Sequence, residues 1–347
     1  MEELRPGDEK RRMTGDFRYV PRWQELGEAT KEPLSDDERA ELGLPRTFRV
    51  TADPGATQQL VFDPATKQFD RSFRASEPRF GGAEEADAWR EARRTAVISV
   101  LSAIENSQWS GNLVLRGSVL LKAWLGAAAR EPGDLDFVVI PQSWKIENYR
   151  TRQMLADIAA DAQQACAGAP VTIDAGRASI GGIWTYDRVP GLRVMLPWTA
   201  DGGRCGDLQL DFVFNEHLPV APELTEVSLS GDGPKALVYA APPELSLAWK
   251  VQWLITDMYP QAKDLYDAVL LAERTPLRYD LLCELVTTAD PVFERLGVTL
   301  ATISGLDCVD FSAFHADHPD LSADGQDLVQ RLAVALEPTF ASAPPPL

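Results

Sequence analysis

The chain has 347 residues and a formal net charge of −18. This charge argues against a general nucleic-acid binder, because phosphate contacts need clustered lysine and arginine. Four scattered cysteines without a CxxC pair favour free thiols over a disulfide framework. No apolar run is long enough to span a membrane and the N-terminus is charged, so we expect no membrane span, no signal peptide and a cytoplasmic location.

Residues 1–82 are predicted to form an N-terminal extension. Proline, glycine and charged residues are frequent there, and hydrophobic periodicity is weak. A capped helix is indicated near residues 35–42, with short strands at 48–50 and 60–62. No chemistry is evident in this segment, so we expect a lid, a partner-binding arm or packing for the core.

The central part of the chain begins with a helix predicted at residues 84–108, where apolar residues recur every three or four positions. A strand at 113–115 follows, and then a tight turn at Gly117 and Ser118. A helix is predicted at 119–129. A second apolar run at 137–140 is preceded by two acids, Asp134 and Asp136.

These two acids predict a metal site. Side chains alternate along a strand, so Asp134 and Asp136 point to one face and repel each other. A divalent cation relieves that repulsion, and oxygen ligands suit Mg²⁺, which in turn brings phosphates. Gly117 permits a close backbone approach, and Ser118 places a hydroxyl at a helix N-terminus, where an anion is favoured.

Alternating helix and strand patterns continue to residue 228. We expect a helix at 147–166, a strand at 171–174, and a hairpin of 183–186 and 192–196 around Pro190 and Gly191. The strand predicted at 207–214 carries Asp211 among apolar residues. A lone acid there costs free energy unless it is paired or bound to a cation; the alternative is an edge strand with Asp211 facing water.

Residues 229–347 are predicted to be mainly helical after a strand at 236–240. One helix begins near Pro242, carries Lys250 and ends before Pro260. A second follows at 261–273 and contains Lys263 and Asp264.

Together these stretches resemble the nucleotidyltransferase superfamily, in which a Gly-Ser turn and a helix precede Asp-x-Asp on the next strand. The sequence motifs are similar to those of the AbiEii/AbiGii branch, the toxin nucleotidyltransferases of bacterial abortive-infection and toxin–antitoxin systems. Lys250 and Asp264 match that branch on its two following helices. Pro132 stands where the branch usually carries serine, and no arginine lies between Lys250 and Lys263.

The resemblance implies an α/β (α+β) fold, with a nucleotidyltransferase core of mixed β-sheet and flanking helices at residues 83–228, the extension at 1–82 and a helical C-terminal domain at 229–347. It implies Mg²⁺, or Mn²⁺, held by Asp134, Asp136 and a third carboxylate, Asp211. Lys250 and Asp264 join these three as expected catalytic residues. The expected nucleotide-binding residues are Arg116, Gly117, Ser118, Arg130 and Lys250.

The implied activity is transfer of a nucleotide from an NTP to a hydroxyl acceptor, with tRNA or another RNA as the acceptor and a cognate antitoxin as partner. Neither DNA nor a membrane is expected as a partner. Two alternatives stay open. Acidic charge favours a small aminoglycoside-type acceptor, and Pro132 favours an inactive nucleotide-binding or regulatory module. RNA would need a local basic patch, and the candidates, which could equally be solvated helix faces, are Arg90, Arg93, Arg94, Lys145, Arg150 and Arg152.

Overall fold

The computed structural model describes residues 34–185, 189–231, 233–306, 309–321 and 323–342. Within them the mixed α/β fold is confirmed. The strands are β1 Ala56–Thr57, β2 Leu60–Phe62, β3 Phe73–Ala75, β4 Arg79–Phe80, β5 Leu113–Arg116, β6 Leu135–Val139, β7 Val171–Ile173, β8 Ser179–Thr185, β9 Val189–Ala200, β10 Cys205–Val213, β11 Glu223–Ser228 and β12 Lys235–Ala240. The helices are α1 Asp36–Glu41, α2 Ala83–Asn106, α3 Ser118–Leu125, α4 Tyr149–Ala165, α5 Pro243–Thr256, α6 Ala262–Ala272, α7 Tyr279–Ala289, α8 Val292–Leu296, α9 Leu300–Ser304, α10 Ser312–Asp317 and α11 Gly325–Ala341.

A mixed sheet of eight strands organises the described chain, in the order β11-β12-β5-β6-β10-β9-β7 with β8 paired to β9. β6 and β10 are parallel, and Asp136 lies opposite Asp211. β5 places Arg116 opposite Asp136, and β9 places Arg193 opposite Asp211. Residues opposite each other on neighbouring strands share a face, so two arginines flank two acids in one row across four strands.

The two faces of the sheet have different cores. Helices α2 and α4 cover one face, where Leu115 and Phe137 belong to the larger apolar cluster. Val114 and Val138 point the other way and pack with α5, α6, α7 and α11. Asp136 lies two residues before Val138 on the same strand, so it shares the face of the C-terminal helices.

The segment before α2 carries a small apolar cluster of its own, formed by Leu44, Phe48, Val50 and Phe73. Helix α1 is confirmed, with Ser35 and Glu38 forming a capping box. The strand predicted at 48–50 is wrong. Its two apolar residues are buried in that cluster, but no strand among the described residues pairs with this segment.

Two further local predictions need correction. Helix α3 ends at Leu125 instead of continuing to residue 129, because Gly126 adopts a positive φ of 57°. The hairpin of β8 and β9 is present, but Gly191 lies within β9 instead of in the turn. A Cβ at this position would lie 2.9 Å from the Ile183 side chain across the hairpin. Tyr186, which the prediction included, lies outside the described residues.

Candidate active site

Three carboxylates meet where β6 and β10 run side by side. Asp134 directly precedes β6, Asp136 lies within it, and Asp211 lies opposite Asp136 on β10. One carboxylate oxygen from each lies within 4.8 Å of the other two. All three line one polar pocket that also reaches the C-terminal helices. A donor set made only of carboxylate oxygens fits a hard divalent cation such as Mg²⁺ or Mn²⁺.

The pKa values of the three acids reflect their crowding. Burial, together with the charges of Asp134 and Asp211, raises the pKa of Asp136 to about 7. Burial also raises the pKa of Asp134, but the positive charges nearby, Lys263 foremost, outweigh it and lower that pKa to about 2. Burial raises the pKa of Asp211 against the opposing effect of Arg193. Without a cation the cluster therefore favours holding a proton.

The turn after β5 fits closely against this cluster. Gly117 has a φ of +84°, and a Cβ there would lie 2.5 Å from Oδ2 of Asp136, so both backbone conformation and space require glycine. Ser118 begins α3 and is 2% exposed, and its hydroxyl has no hydrogen-bond partner among the described residues. It lines the pocket at a helix N-terminus, where an anion is favoured.

A second cluster joins the helices to the pocket. Asp267 accepts two hydrogen bonds from Arg130 in a bidentate contact, with Nε–Oδ1 and Nη2–Oδ2 distances of 3.0 and 2.9 Å. The Nζ of Lys250 lies 2.6 Å from Oδ1 of Asp264 and 3.0 Å from Oδ2 of Asp267. Lys250 is 4% exposed, so this is a buried network and not a helix-surface ion pair.

Arg116 is the expected nucleotide-binding residue that the structure does not bring into the pocket. It is 1% exposed, and its Nη1 lies 3.1 Å from Oε2 of Glu216. Its guanidinium lies 5.2 Å from the ring centroids of Trp249 and of Trp253. Its positive charge opposes the rise in the pKa of Asp136.

Four residues of the site were not expected from the sequence. Arg193 contacts Asp211 and Asp63, Lys263 reaches within 4.0 Å of Asp134, and Asp267 anchors the second cluster. Arg193 did carry a signal, because it is a lone charge in an apolar strand, as Asp211 is. Asp267 follows Asp264 by three residues on a helix, a spacing that places both on one face.

The basic residues considered for RNA binding form two groups: Arg90, Arg93 and Arg94 lie on α2, and Lys145, Arg150 and Arg152 lie in or just before α4. Arg94 pairs with Glu131, and Arg93 is buried. The guanidinium of Arg150 lies 4.6 Å from the ring centroid of Trp144. The α2 group is therefore engaged within the protein, whereas Lys145, Arg150 and Arg152 are exposed.

An α/β core that brings three carboxylates together beside a Gly-Ser turn and a helix pair that carries Lys250 and Lys263 defines a nucleotidyltransferase. The family model described as Nucleotidyl transferase AbiEii toxin, Type IV TA system matches residues 99–324, and the chain belongs to this family. It is therefore a nucleotidyltransferase toxin of a type IV toxin–antitoxin system, a class that generally uses a divalent metal and implies an NTP substrate and a cognate antitoxin.

Among solved structures, the chain is similar to MenT4, a nucleotidyltransferase toxin from Mycobacterium tuberculosis H37Rv, with 17% sequence identity and a TM-score of 0.48. That alignment covers 76% of this chain and 87% of the other. No curated protein matches the sequence. In the part of the chain that the structure describes, no helix is both long and apolar enough to cross a membrane.

Proposed function

We propose that this protein transfers a nucleoside monophosphate from an NTP to a hydroxyl of tRNA, with Mg²⁺ held by Asp134, Asp136 and Asp211. The observation that carries the proposal is the carboxylate cluster facing a pocket lined by Lys250, Lys263 and other cations. The acceptor hydroxyl loses its proton to solvent as its oxygen attacks the α-phosphorus in line, the bond to the bridging oxygen breaks, and pyrophosphate leaves. When bound, the divalent ions would neutralise the attacking and leaving oxygens.

The phosphates would be held by the groups that still have donors to offer. The Ser118 hydroxyl has no partner among the described residues, and Lys263 is 31% exposed with only a 4.0 Å contact to Asp134. Asp267 engages two of the three nitrogens of Arg130, which leaves Nη1 for a ligand. Lys250 has three donors and two carboxylate partners, so one N–H can reach the triphosphate. We assign Asp264 to holding Lys250 in place.

The toxin class favours an RNA acceptor, because modifying an essential macromolecule stops growth directly. One observation favours the small-molecule alternative. The pocket is lined by six aspartates against five lysines and arginines, and the basic residues on α2 are already engaged. A polycationic aminoglycoside would suit such a lining.

The test is a transfer assay with each of the four α-labelled NTPs, offered total tRNA or an aminoglycoside in separate reactions. We expect label on tRNA with the wild type, and none with Asp134→Asn or Asp136→Asn. Asp280→Asn is the matched control, since Asp280 is an exposed helix acid far from the pocket in sequence and 78% accessible. Label on the aminoglycoside alone would establish the alternative, and equal transfer by all variants would exclude this site.

A further inference from the structure

Arg193 stands out because none of the roles proposed above uses it. It is 4% exposed at the centre of β9, opposite Asp211 in the strand register. Its Nε and Nη2 each lie 2.8 Å from one oxygen of Asp211. Its Nη1 donates to Oδ2 of Asp63, in the segment that precedes α2. All three nitrogens are thus engaged by carboxylates, which hold the guanidinium in one orientation.

The contacts restrict how Asp211 can bind a cation. Its Oδ2 accepts from Arg193 Nη2 and also from Gln209 Nε2 at 3.0 Å, so both lone pairs of that oxygen are used. Its Oδ1 accepts only from Arg193 Nε, which leaves one lone pair. A bidentate contact with a guanidinium also fixes the plane of the carboxylate. Asp211 can therefore offer one ligand atom in one fixed direction.

We propose that Arg193 is a positioning residue for the carboxylate Asp211, and that Asp63 completes this device from outside the nucleotidyltransferase core. This inference rests on the function proposed above. Asp63 is itself 6% exposed and caps a short 3₁₀ turn at residues 64–66. Through the linked ion pairs of Asp63, Arg193 and Asp211, the N-terminal extension contributes to the active site as well as to packing.

The chain offers a matched control for this claim. Arg49 in the same extension pairs with Asp207 on the same strand, β10, at 3.1 Å. Asp207 lies four residues before Asp211 and does not line the pocket. Both ion pairs tie the extension to the sheet, but only one of them reaches a site carboxylate. A purely structural role predicts similar effects from breaking either pair.

The test compares Asp63→Ala, Arg193→Lys and Arg49→Gln with the wild type. Nucleotide transfer kinetics come first. We expect Asp63→Ala and Arg193→Lys to lower kcat at least tenfold with KM for the NTP within twofold, because the ligand direction is lost while the triphosphate contacts persist. Lysine keeps the positive charge of Arg193 but cannot form the bidentate contact with Asp211, so it should not restore the rate. Arg49→Gln should keep the wild-type kcat.

The second readout is the electron paramagnetic resonance spectrum of bound Mn²⁺, recorded without nucleotide. If Asp211 is less restrained, the bound Mn²⁺ has a range of ligand geometries and therefore a range of zero-field splittings. The lines of the spectrum should then broaden in Asp63→Ala and Arg193→Lys but not in Arg49→Gln. If Arg193→Lys does not fold, Asp63→Ala decides alone. Wild-type kcat and spectrum in Asp63→Ala would overturn the inference and leave the proposed function standing. A wild type that neither binds Mn²⁺ nor transfers nucleotide would instead overturn the proposed function.

Discussion

Replacing Asp136 with asparagine should stabilise the metal-free protein while abolishing its activity. The substitution keeps the shape of the side chain and removes one of three crowded negative charges. The pKa of Asp136 rises from 3.8 to about 7, and each pKa unit corresponds to about 1.4 kcal/mol. The ionised side chain therefore lowers the free energy of unfolding above pH 7 by at most ~4 kcal/mol. Because the carboxylate faces a polar pocket and keeps some exposure, we expect about half of that.

The sign of the effect follows from the raised pKa. Between pH 4 and 7 the folded protein holds a proton on Asp136 that the unfolded chain has released. The associated stabilisation is complete below about pH 4 and is lost as the pH rises through about 7. Asp211 also has a raised pKa and adds in the same direction. The stabilisation from the lowered pKa of Asp134 is fully present above about pH 4 and is lost only as the pH falls towards about 2, so it does not vary within the window of the experiment.

The assay is thermal unfolding in EDTA between pH 5 and 8. At pH 8, Asp136→Asn should melt roughly 3 °C above the wild type, because ~2 kcal/mol is divided by an unfolding entropy of roughly 0.7 kcal/mol/K for 347 residues. The gap should shrink towards pH 5. Saturating Mg²⁺ should raise the Tm of the wild type but not of the variant, and Asp280→Asn should follow the wild type throughout. A variant that is destabilised equally at both pH values would refute the electrostatic reasoning.

Three further variants test other parts of the site. Lys250→Ala should slow nucleotide transfer at least tenfold, about 1.4 kcal/mol of transition-state stabilisation, and full activity would make Lys250 structural. Arg130→Gln should lower the free energy of unfolding in urea by about 3–5 kcal/mol, because it leaves Asp267 buried without its fork partner; Asp267→Asn in the same chain should restore part of the loss. Gly117→Ala should cost about 1–3 kcal/mol in the same measurement and abolish transfer, since its Cβ would lie 2.5 Å from Asp136.

The sequence predicts those parts of the fold that depend on local pattern. Strand alternation places Asp134 and Asp136 on one face, and a lone acid in an apolar strand singles out Asp211; the structure brings all three together. Lys250 and Asp264 also meet in the pocket. Their roles stay predictions, but their proximity follows from the packing of two consecutive helices, α5 and α6, against each other.

What the sequence could not predict depends on register and on distant partners. Arg116 belongs to the family motif, yet Glu216 draws it into the core, and no local pattern links residues 100 positions apart. The pairing of Arg193 with Asp211 requires knowing how β9 lies against β10. The position of Gly191 within a strand could not be predicted from turn patterns either, because this glycine makes room for the side chain of Ile183 on the neighbouring strand.

The long sequence separations within the site have a consequence for synthesis of the toxin. The Asp63–Arg193 and Arg130–Asp267 pairs join residues 130 and 137 positions apart, and closing such loops is slow. A nascent chain that has emerged only as far as residue 228 carries the three carboxylates but lacks Lys250, Lys263 and Asp267. Chains that end at residue 228 should therefore be inactive, so the toxin should gain activity only once its C-terminal helices have been synthesised.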